Sequence, residues 1–116
     1  MREILTTLNV EAGTTGSMVI TLDGIMVAAA LDGHYEEDSM AAFAASLLLT
    51  VKNILSALNA SSSFRSVTLS AANGKLSFFD MNNSYLVLVS DPSTELDCET
   101  APIQNAIHKI VSRRIV

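Results

Sequence analysis

Few residues of this chain are of the types that do chemistry, and they are widely separated. The two histidines are His34 and His108, and Cys98 is the one cysteine among 116 residues. His34 stands in a run rich in carboxylates that a divalent cation could use, namely Asp32, Glu36, Glu37 and Asp38. No ligand spacing of a known metal site occurs in this run, and a solvated loop entering an acidic helix start explains the same residues. We therefore predict no metal site.

Nucleophilic catalysis and nucleotide binding also lack their sequence patterns. The chain contains no GxSxG, no GxxxxGK[ST] and no GxGxxG. The serines at 61–63 are better explained as a helix stop, and Cys98 has no base near it in sequence. Asp23 precedes a glycine, so a turn explains this acid more simply than catalysis does. The sequence therefore predicts no catalytic residue, no cofactor and no enzymatic activity.

The composition is that of a globular chain with much apolar surface. Hydrophobic residues make up 49% of the sequence, and only 16% are charged, against about 25% in a typical soluble domain. This balance indicates an oligomer. The net charge is −5 and the basic residues are scattered, so we expect no nucleic-acid binding. The length fits a single domain over residues 1–116, and the first residues lack the apolar core of a secretory signal, so a cytoplasmic location is expected.

Residues 36–59 are predicted to form a long helix around which the other elements are arranged. They contain no Pro or Gly. Their core stripe, at helical spacing, is predicted to be Met40, Phe43, Ala44, Leu47, Val51, Ile54, Leu55 and Leu58. Further apolar residues lie off that stripe, and they are Ala41, Ala42, Ala45, Leu48 and Leu49. A helix apolar around most of its circumference must be covered on two sides, so we expect a sheet on one side and a second copy of the chain on the other.

Membrane insertion of this helix is not expected. Its most apolar run, residues 40–51, is only twelve residues long before Lys52 interrupts it. A membrane-spanning helix needs about 20 apolar residues.

The remaining elements follow from period and turn residues. We predict a helix over residues 2–10, strands over 16–22 and 25–30, three strands over 64–71, 75–81 and 84–90, and a last helix capped by Thr100. Asp23-Gly24 predicts a two-residue hairpin turn with positive φ at both residues, and Asn73-Gly74 predicts a second hairpin. Asn82-Asn83 marks the next turn, and residues 95–99 are expected to form a loop or one separate turn.

This order of elements, with the turns at Asp23-Gly24 and Asn73-Gly74, resembles the roadblock family of dynein-associated light chains and small-GTPase regulators. The resemblance covers about residues 2–114 and departs from the family pattern at Pro102, inside the last helix. It implies an α+β, profilin-like fold, with a five-stranded antiparallel sheet carrying the long helix on one face and the terminal helices on the other.

The resemblance also implies a homodimer that joins third strand to third strand with the long helices side by side. The expected dimer interface comprises Ala41, Ala42, Ala45, Leu48, Leu49, Phe64, Ser66, Val67, Thr68 and Leu69. The implied function is a non-catalytic platform that regulates a small Ras-like GTPase. Polar breaks in the long helix are the candidate partner contacts, unless they form a plain solvated edge: Glu37, Lys52, Asn53 and Ser56. Two alternatives remain open, a structural adaptor in a motor, motility or signalling complex and a small-ligand sensor.

Overall fold

A computed structural model describes residues 1–33, 35–59, 64–96 and 100–114, and the side chains of these residues as far as 112. Its helices are α1 (Arg2–Ala12), α2 (Glu37–Ala57) and α3 (Ala101–Arg114). Its strands are β1 (Gly16–Thr21), β2 (Met26–Ala30), β3 (Ser66–Ala71), β4 (Gly74–Asp80) and β5 (Ser84–Ser90). The predicted order of elements is therefore confirmed. His34, the serines at 61–63 and Cys98 lie outside the described residues.

The five strands form one antiparallel sheet in the order β2-β1-β5-β4-β3. The central strand β5 is buried along its whole length, and β2 and β3 are the edges. Alternation along the strands sends side chains to opposite faces. One face packs against α1 and α3 through Val19, Phe79, Leu86 and Leu88. The other packs against α2 through Met18, Ile20, Phe78 and Val87, so the predicted division of helices between the two faces is confirmed.

The terminal helices form a closed layer with the first face of the sheet. Leu5 and Leu8 of α1 are buried together with Ile103 and Ile110 of α3. α1 ends at Gly13, which takes a left-handed φ of 72° as a helix C-cap glycine does. The side chain of Ser17 donates a hydrogen bond of 3.2 Å to the carbonyl of Leu5, so β1 is joined to α1 by a polar contact as well.

The last helix begins where the sequence predicted it. Pro102 is its second residue, within the first turn, where a missing N–H removes no intrahelical hydrogen bond. The carbonyl of Thr100 accepts a bond of 3.0 Å from the N–H of Gln104, as the residue at an N-cap does. The departure from the family pattern at Pro102 therefore leaves the helix intact.

The β1–β2 turn differs from its prediction. The loop has three residues, 22–24: the N–H of Gly24 donates to the carbonyl of Thr21 at 3.0 Å, and the N–H of Thr21 donates to the carbonyl of Ile25 at 2.9 Å. Only Gly24 takes a positive φ, of 89°. This is the three-residue hairpin loop with a glycine bulge, and the prediction of positive φ at both Asp23 and Gly24 is wrong. The Thr21 side chain stabilises the longer loop, because its hydroxyl donates to the Asp23 carboxylate and accepts from the Ile25 N–H.

The β3–β4 hairpin is confirmed, but its turn lies one residue earlier than predicted. Gly74 already pairs with Ala71, so the loop consists of Ala72 and Asn73. Neither loop residue takes a positive φ, and Asn73-Gly74 is therefore not the centre of the turn. The turn at Asn82-Asn83 is confirmed, with Asn82 at a φ of 73°.

Candidate protein-interaction surface

In the part of the chain that the structure describes, the side chains that could bind a metal or take part in catalysis do not lie close together. Within it, no three His, Cys, Asp or Glu side chains come together in positions that could hold a metal ion. A cleft of about 410 Å³ opens beside α3 and has Phe79 and Ile107 in its lining. Of its polar residues, Arg65, Gln104 and His108 are exposed and Asp80 is half-buried, so it is a surface depression and not an enclosed site.

The helix α2 is covered by its own sheet along one narrow side only. Its buried residues are Ala41, Ala44 and Leu48. The predicted core stripe is therefore displaced around the helix, because Phe43, Ile54 and Leu58 of that stripe are 68%, 54% and 71% exposed. Ala41 and Leu48, both expected in the dimer interface, are 4% and 3% exposed and pack on the sheet of their own chain.

Two apolar stripes of α2 remain at the surface. At 3.6 residues per turn, the two stripes lie on opposite sides of the buried residues. We call the first the outer stripe, which consists of the exposed Phe43, Ile54 and Leu58 together with the half-buried Leu47. We call the second the turn-side stripe, which consists of Ala42, Ala45 and Leu49. Leu49 is 62% exposed, so both stripes present large apolar area to solvent in a single chain.

The turn-side stripe takes its name from its contact with the β1–β2 turn. A Cβ added to Gly24 would overlap the Cβ of Ala45 and lie 3.9 Å from the carbonyl oxygen of Ala41. Only a glycine allows the turn to approach the helix this closely. Beside this contact, the turn and the start of β2 expose three large apolar side chains: Leu22 at 51%, Ile25 at 61% and Val27 at 46%. These exposed residues were not predicted from the sequence, although apolar residues on both sides of an Asp-Gly loop are a signal for them.

By length and composition alone, α2 is the one helix in the described residues that could cross a membrane. The prediction from residues 40–51 was that the apolar run is too short to span a membrane, whereas the whole helix, Glu37–Ala57, is long and apolar enough. Only 17% of its most apolar stretch is buried within the chain. Most of α2 therefore needs cover from something outside this chain.

Some side chains of the edge strand β3 lie on the face of the sheet that α2 covers. Val67 and Leu69 pair with Phe78 and Leu76, which place them on that face. Val67 is half-buried, Leu69 is 45% exposed, and Ser66 and Thr68 are exposed. The outer edge of β3 has no partner strand in the described part of the chain, so its backbone is available to another strand. A groove of about 450 Å³, with Leu69, Leu76 and Val89 in its lining, lies beside it.

Lys52 and Phe64, predicted to serve different roles, meet at one tyrosine. The ring of Phe64 stacks on that of Tyr85 with centroids 5.7 Å apart and an interplanar angle of 9°. The Nζ of Lys52 lies 5.4 Å from the centroid of the same ring, a cation–π geometry. Tyr85 is only 3% exposed, so Lys52 contributes to packing within its own chain. The role of Tyr85 was not identified from the sequence.

The structure does not bring all four candidate partner contacts together. Asn53 and Ser56 are exposed within one turn of each other, next to Lys52. Glu37 is exposed at the start of the helix, about 24 Å from Asn53 at 1.5 Å per residue. Asn53 and Ser56 can therefore contact one small patch of a partner, whereas Glu37 belongs to a separate region.

The described geometry was compared with known proteins. The model of the Roadblock/LC7 domain family matches residues 2–90, which extend from α1 to the end of β5. Comparison with curated protein sequences gives no match. Among solved structures, the Roadblock/LC7 domain from Streptomyces avermitilis is similar to this chain, with a TM-score of 0.86. The identity is 14%, and the alignment covers 100% of this chain and 98% of that chain.

Two further solved structures share the fold. MglB from Myxococcus xanthus has a TM-score of 0.84 at 15% identity, covering 98% of this chain and 86% of that chain. Profilin II from Acanthamoeba castellanii has a TM-score of 0.60 at 15% identity, covering 97% of this chain and 98% of that chain. This chain thus shares the α+β, profilin-like architecture with these structures, and at such low sequence identity the similarity shows the fold alone.

Proposed function

Because the chain belongs to the Roadblock/LC7 domain family, we propose that it forms a homodimeric interaction platform that regulates a small Ras-like GTPase. The observation that carries this proposal is the incomplete cover of α2, whose apolar residues Phe43, Ile54 and Leu58 are more than half exposed. Isolated exposed apolar residues are ordinary, but a connected stripe of this kind marks a protein interface.

A second copy of the chain is the occupant we assign to the outer stripe. The strand order places β3 at the edge of the sheet opposite β2. The outer stripe lies on the side of α2 turned away from the β1–β2 turn. We therefore place the twofold contact at β3, through residues 66–69, and at the outer stripe, through Phe43 and Ile54. A dimer of this kind buries roughly 2,000 Å² or more if it is obligate.

This assignment differs from the interface predicted from the sequence in its helical part. Ala42, Ala45 and Leu49 belong to the turn-side stripe, and the outer stripe offers more large apolar side chains. The strand part of the expected interface is retained, with Phe64 contributing through its stack on Tyr85. The dimer then has a face left over for a further partner.

The regulatory role is tested by GTP turnover. Single-turnover hydrolysis by each Ras-like GTPase of the same genome is measured with and without this protein, and binding of each nucleotide state is measured by titration. We expect one GTPase to bind and its hydrolysis rate or nucleotide exchange to change. No binding to any of them would defeat the GTPase role and favour the structural adaptor, which needs only the dimer.

The dimer is tested separately by dilution. Sedimentation from micromolar to nanomolar concentration should show a dimer that loses structure as it dissociates, since α2 is poorly covered in one chain. A well-folded monomer in sedimentation would contradict the homodimer. Flotation with lipid vesicles serves as the control for α2 insertion, and no binding to vesicles is expected.

A further inference from the structure

The β1–β2 turn and the turn-side stripe form one apolar surface that the proposed dimer leaves uncovered. Leu22 and Ile25 at the turn are 51% and 61% exposed, Val27 in β2 is 46% exposed, and Leu49 on the helix is 62% exposed. The close contact between Gly24 and Ala45 holds the two parts together. We define these four exposed residues as the turn patch.

The turn patch has a fixed shape before any partner binds. Two backbone hydrogen bonds between Thr21 and the far side of the loop close the turn, and the Thr21 hydroxyl bonds both Asp23 and the Ile25 N–H. The positive φ of Gly24 and its contact with the helix restrict the loop further. Apolar side chains on a preformed turn lose little conformational freedom on binding, which favours affinity.

The charge around the turn patch identifies the kind of partner it fits. Residues 3–51 contain seven acidic residues and not one Lys or Arg. Two of these acids border the patch: Asp23 is in the turn, and Asp38 lies in the first turn of α2, one turn before Ala42. The nearest base in sequence, Lys52, has its ammonium over the Tyr85 ring. A second copy would bring two more acids and no base to the contact, so the complementary partner is an apolar surface bordered by basic residues.

We propose that the turn patch is the docking surface for the GTPase, which meets it with an apolar centre flanked by Lys or Arg. This inference rests on the proposed function and adds the surface and its charge. It assigns different surfaces to the two partners of the chain: the outer stripe and β3 bind the second copy, and the turn patch binds the GTPase. Asn53 and Ser56, predicted as partner contacts, then lie at the border of the turn patch.

The test uses an exposed residue of the turn patch and a matched residue on the other face of the sheet. Ile25→Asp introduces a charge into the patch, and Val10→Asp introduces the same charge on α1, where Val10 is 80% exposed. Binding of each variant dimer to the Ras-like GTPases is titrated, and sedimentation records the dimer. We expect Ile25→Asp to weaken GTPase binding by at least about tenfold and Val10→Asp by less than about twofold, with both dimers intact. Leu49→Asp, on the helix, is the second variant and should act like Ile25→Asp.

The charge part of the inference has its own pair of variants. Asp38→Asn should slow association with the GTPase several-fold at about 50 mM salt and much less at about 300 mM, because screening weakens the attraction between exposed charges. Glu11→Gln on α1 is the control and should leave association unchanged. Equal salt dependence in wild type and Asp38→Asn would remove the acidic border from the inference.

The remaining outcomes separate this inference from the proposed function. If Ile25→Asp and Leu49→Asp bind the GTPase like wild type, the turn patch is not the docking surface and the proposed function stands. If they lose the dimer, the patch is a contact between copies and the inference is overturned. Loss of vesicle binding in Ile25→Asp would likewise overturn it in favour of a membrane surface. If wild type binds no Ras-like GTPase, the proposed function fails and this inference fails with it.

Discussion

The two faces of the sheet differ in how much apolar side-chain surface they leave exposed. On the face covered by α1 and α3, the described chain exposes one large hydrophobic residue, Val10, and packs the others against one another, fully or partly buried. On the face covered by α2, large apolar side chains are exposed on the helix, on the β1–β2 turn and on β3; they are Leu22, Ile25, Val27, Phe43, Leu49, Ile54, Leu58 and Leu69. The same sheet thus has one closed layer and one open layer.

The difference shows how one small chain can build a closed core on one face of its sheet and leave the other face incomplete. Two helices together shield the closed layer, whereas a single helix lies across the open layer and buries only Ala41, Ala44 and Leu48 of its own. Folding within one chain is carried by the closed layer. Association is carried by the open layer, because its apolar area is removed from water only when another molecule covers it.

The largest expected effect comes from a cavity in the closed layer. Phe79 is 2% exposed and packs with α1 and α3, so Phe79→Ala should lower the free energy of unfolding by about 3–5 kcal/mol. The matched variant Phe43→Ala, in the open layer, removes a side chain that is 68% exposed. Urea unfolding at several protein concentrations measures both. Phe79→Ala should lower stability by more than Phe43→Ala at every concentration at which the wild type is dimeric; equal losses for the two variants would contradict the division into layers.

The second prediction concerns association through the open layer. Ile54→Asp places a charge in the outer stripe, and we expect it to weaken the dimer by at least about a hundredfold, or roughly 2.7 kcal/mol. Sedimentation equilibrium measures the shift, with Val10→Asp on the closed side as control. A dimer that is unaffected by Ile54→Asp but lost in Leu49→Asp would place the twin on the turn-side stripe and reverse the assignment of the two stripes.

The order of elements could be predicted because each element has its own local signal. β5 is apolar at consecutive positions, as a central strand is, and the Gly13 cap and Thr100 mark helix ends that the structure retains. The edge position of β3 followed from the family resemblance and not from any residue of the strand. Strand order depends on which strands meet in space, and no local pattern in residues 66–71 encodes that.

The orientation of α2 could not be predicted for a physical reason. With alanines and leucines around most of the helix, periodicity allows several stripes that are equally apolar, and the choice among them is tertiary. Here the contact of Gly24 with Ala45 and the fit of Ala41 and Ala44 on the sheet settle the rotation. The turn was missed similarly, since Asp-Gly suits two loop lengths and the Thr21 side chain stabilises the longer one. The surface of the candidate site follows from these two features.

A smaller effect tests the contact that orients the open layer. Gly24→Ala meets two obstacles, a φ of 89° and overlap with the Ala45 side chain, so we expect a loss of about 1–3 kcal/mol. Ala45→Gly in the same chain removes the overlap but not the strain, and it should restore part of the loss. A double-mutant cycle by urea unfolding measures the coupling. Additive effects of the two substitutions would mean that the turn does not depend on its contact with the helix.

The smallest expected effect concerns Lys52, which lies between the two roles that the open layer serves. Lys52→Gln removes the cation from the Tyr85 ring and should lower stability by about 0.5–1 kcal/mol, with Lys109→Gln on α3 as the control. The interaction is isolated by combining Lys52→Gln with Tyr85→Leu in a double-mutant cycle. Lys52→Glu is a poorer test of partner binding, because it alters the ring contact and the surface charge together. If Lys52→Gln leaves stability unchanged and yet weakens partner binding, the ammonium leaves the ring for the partner, and Lys52 belongs to the binding surface after all.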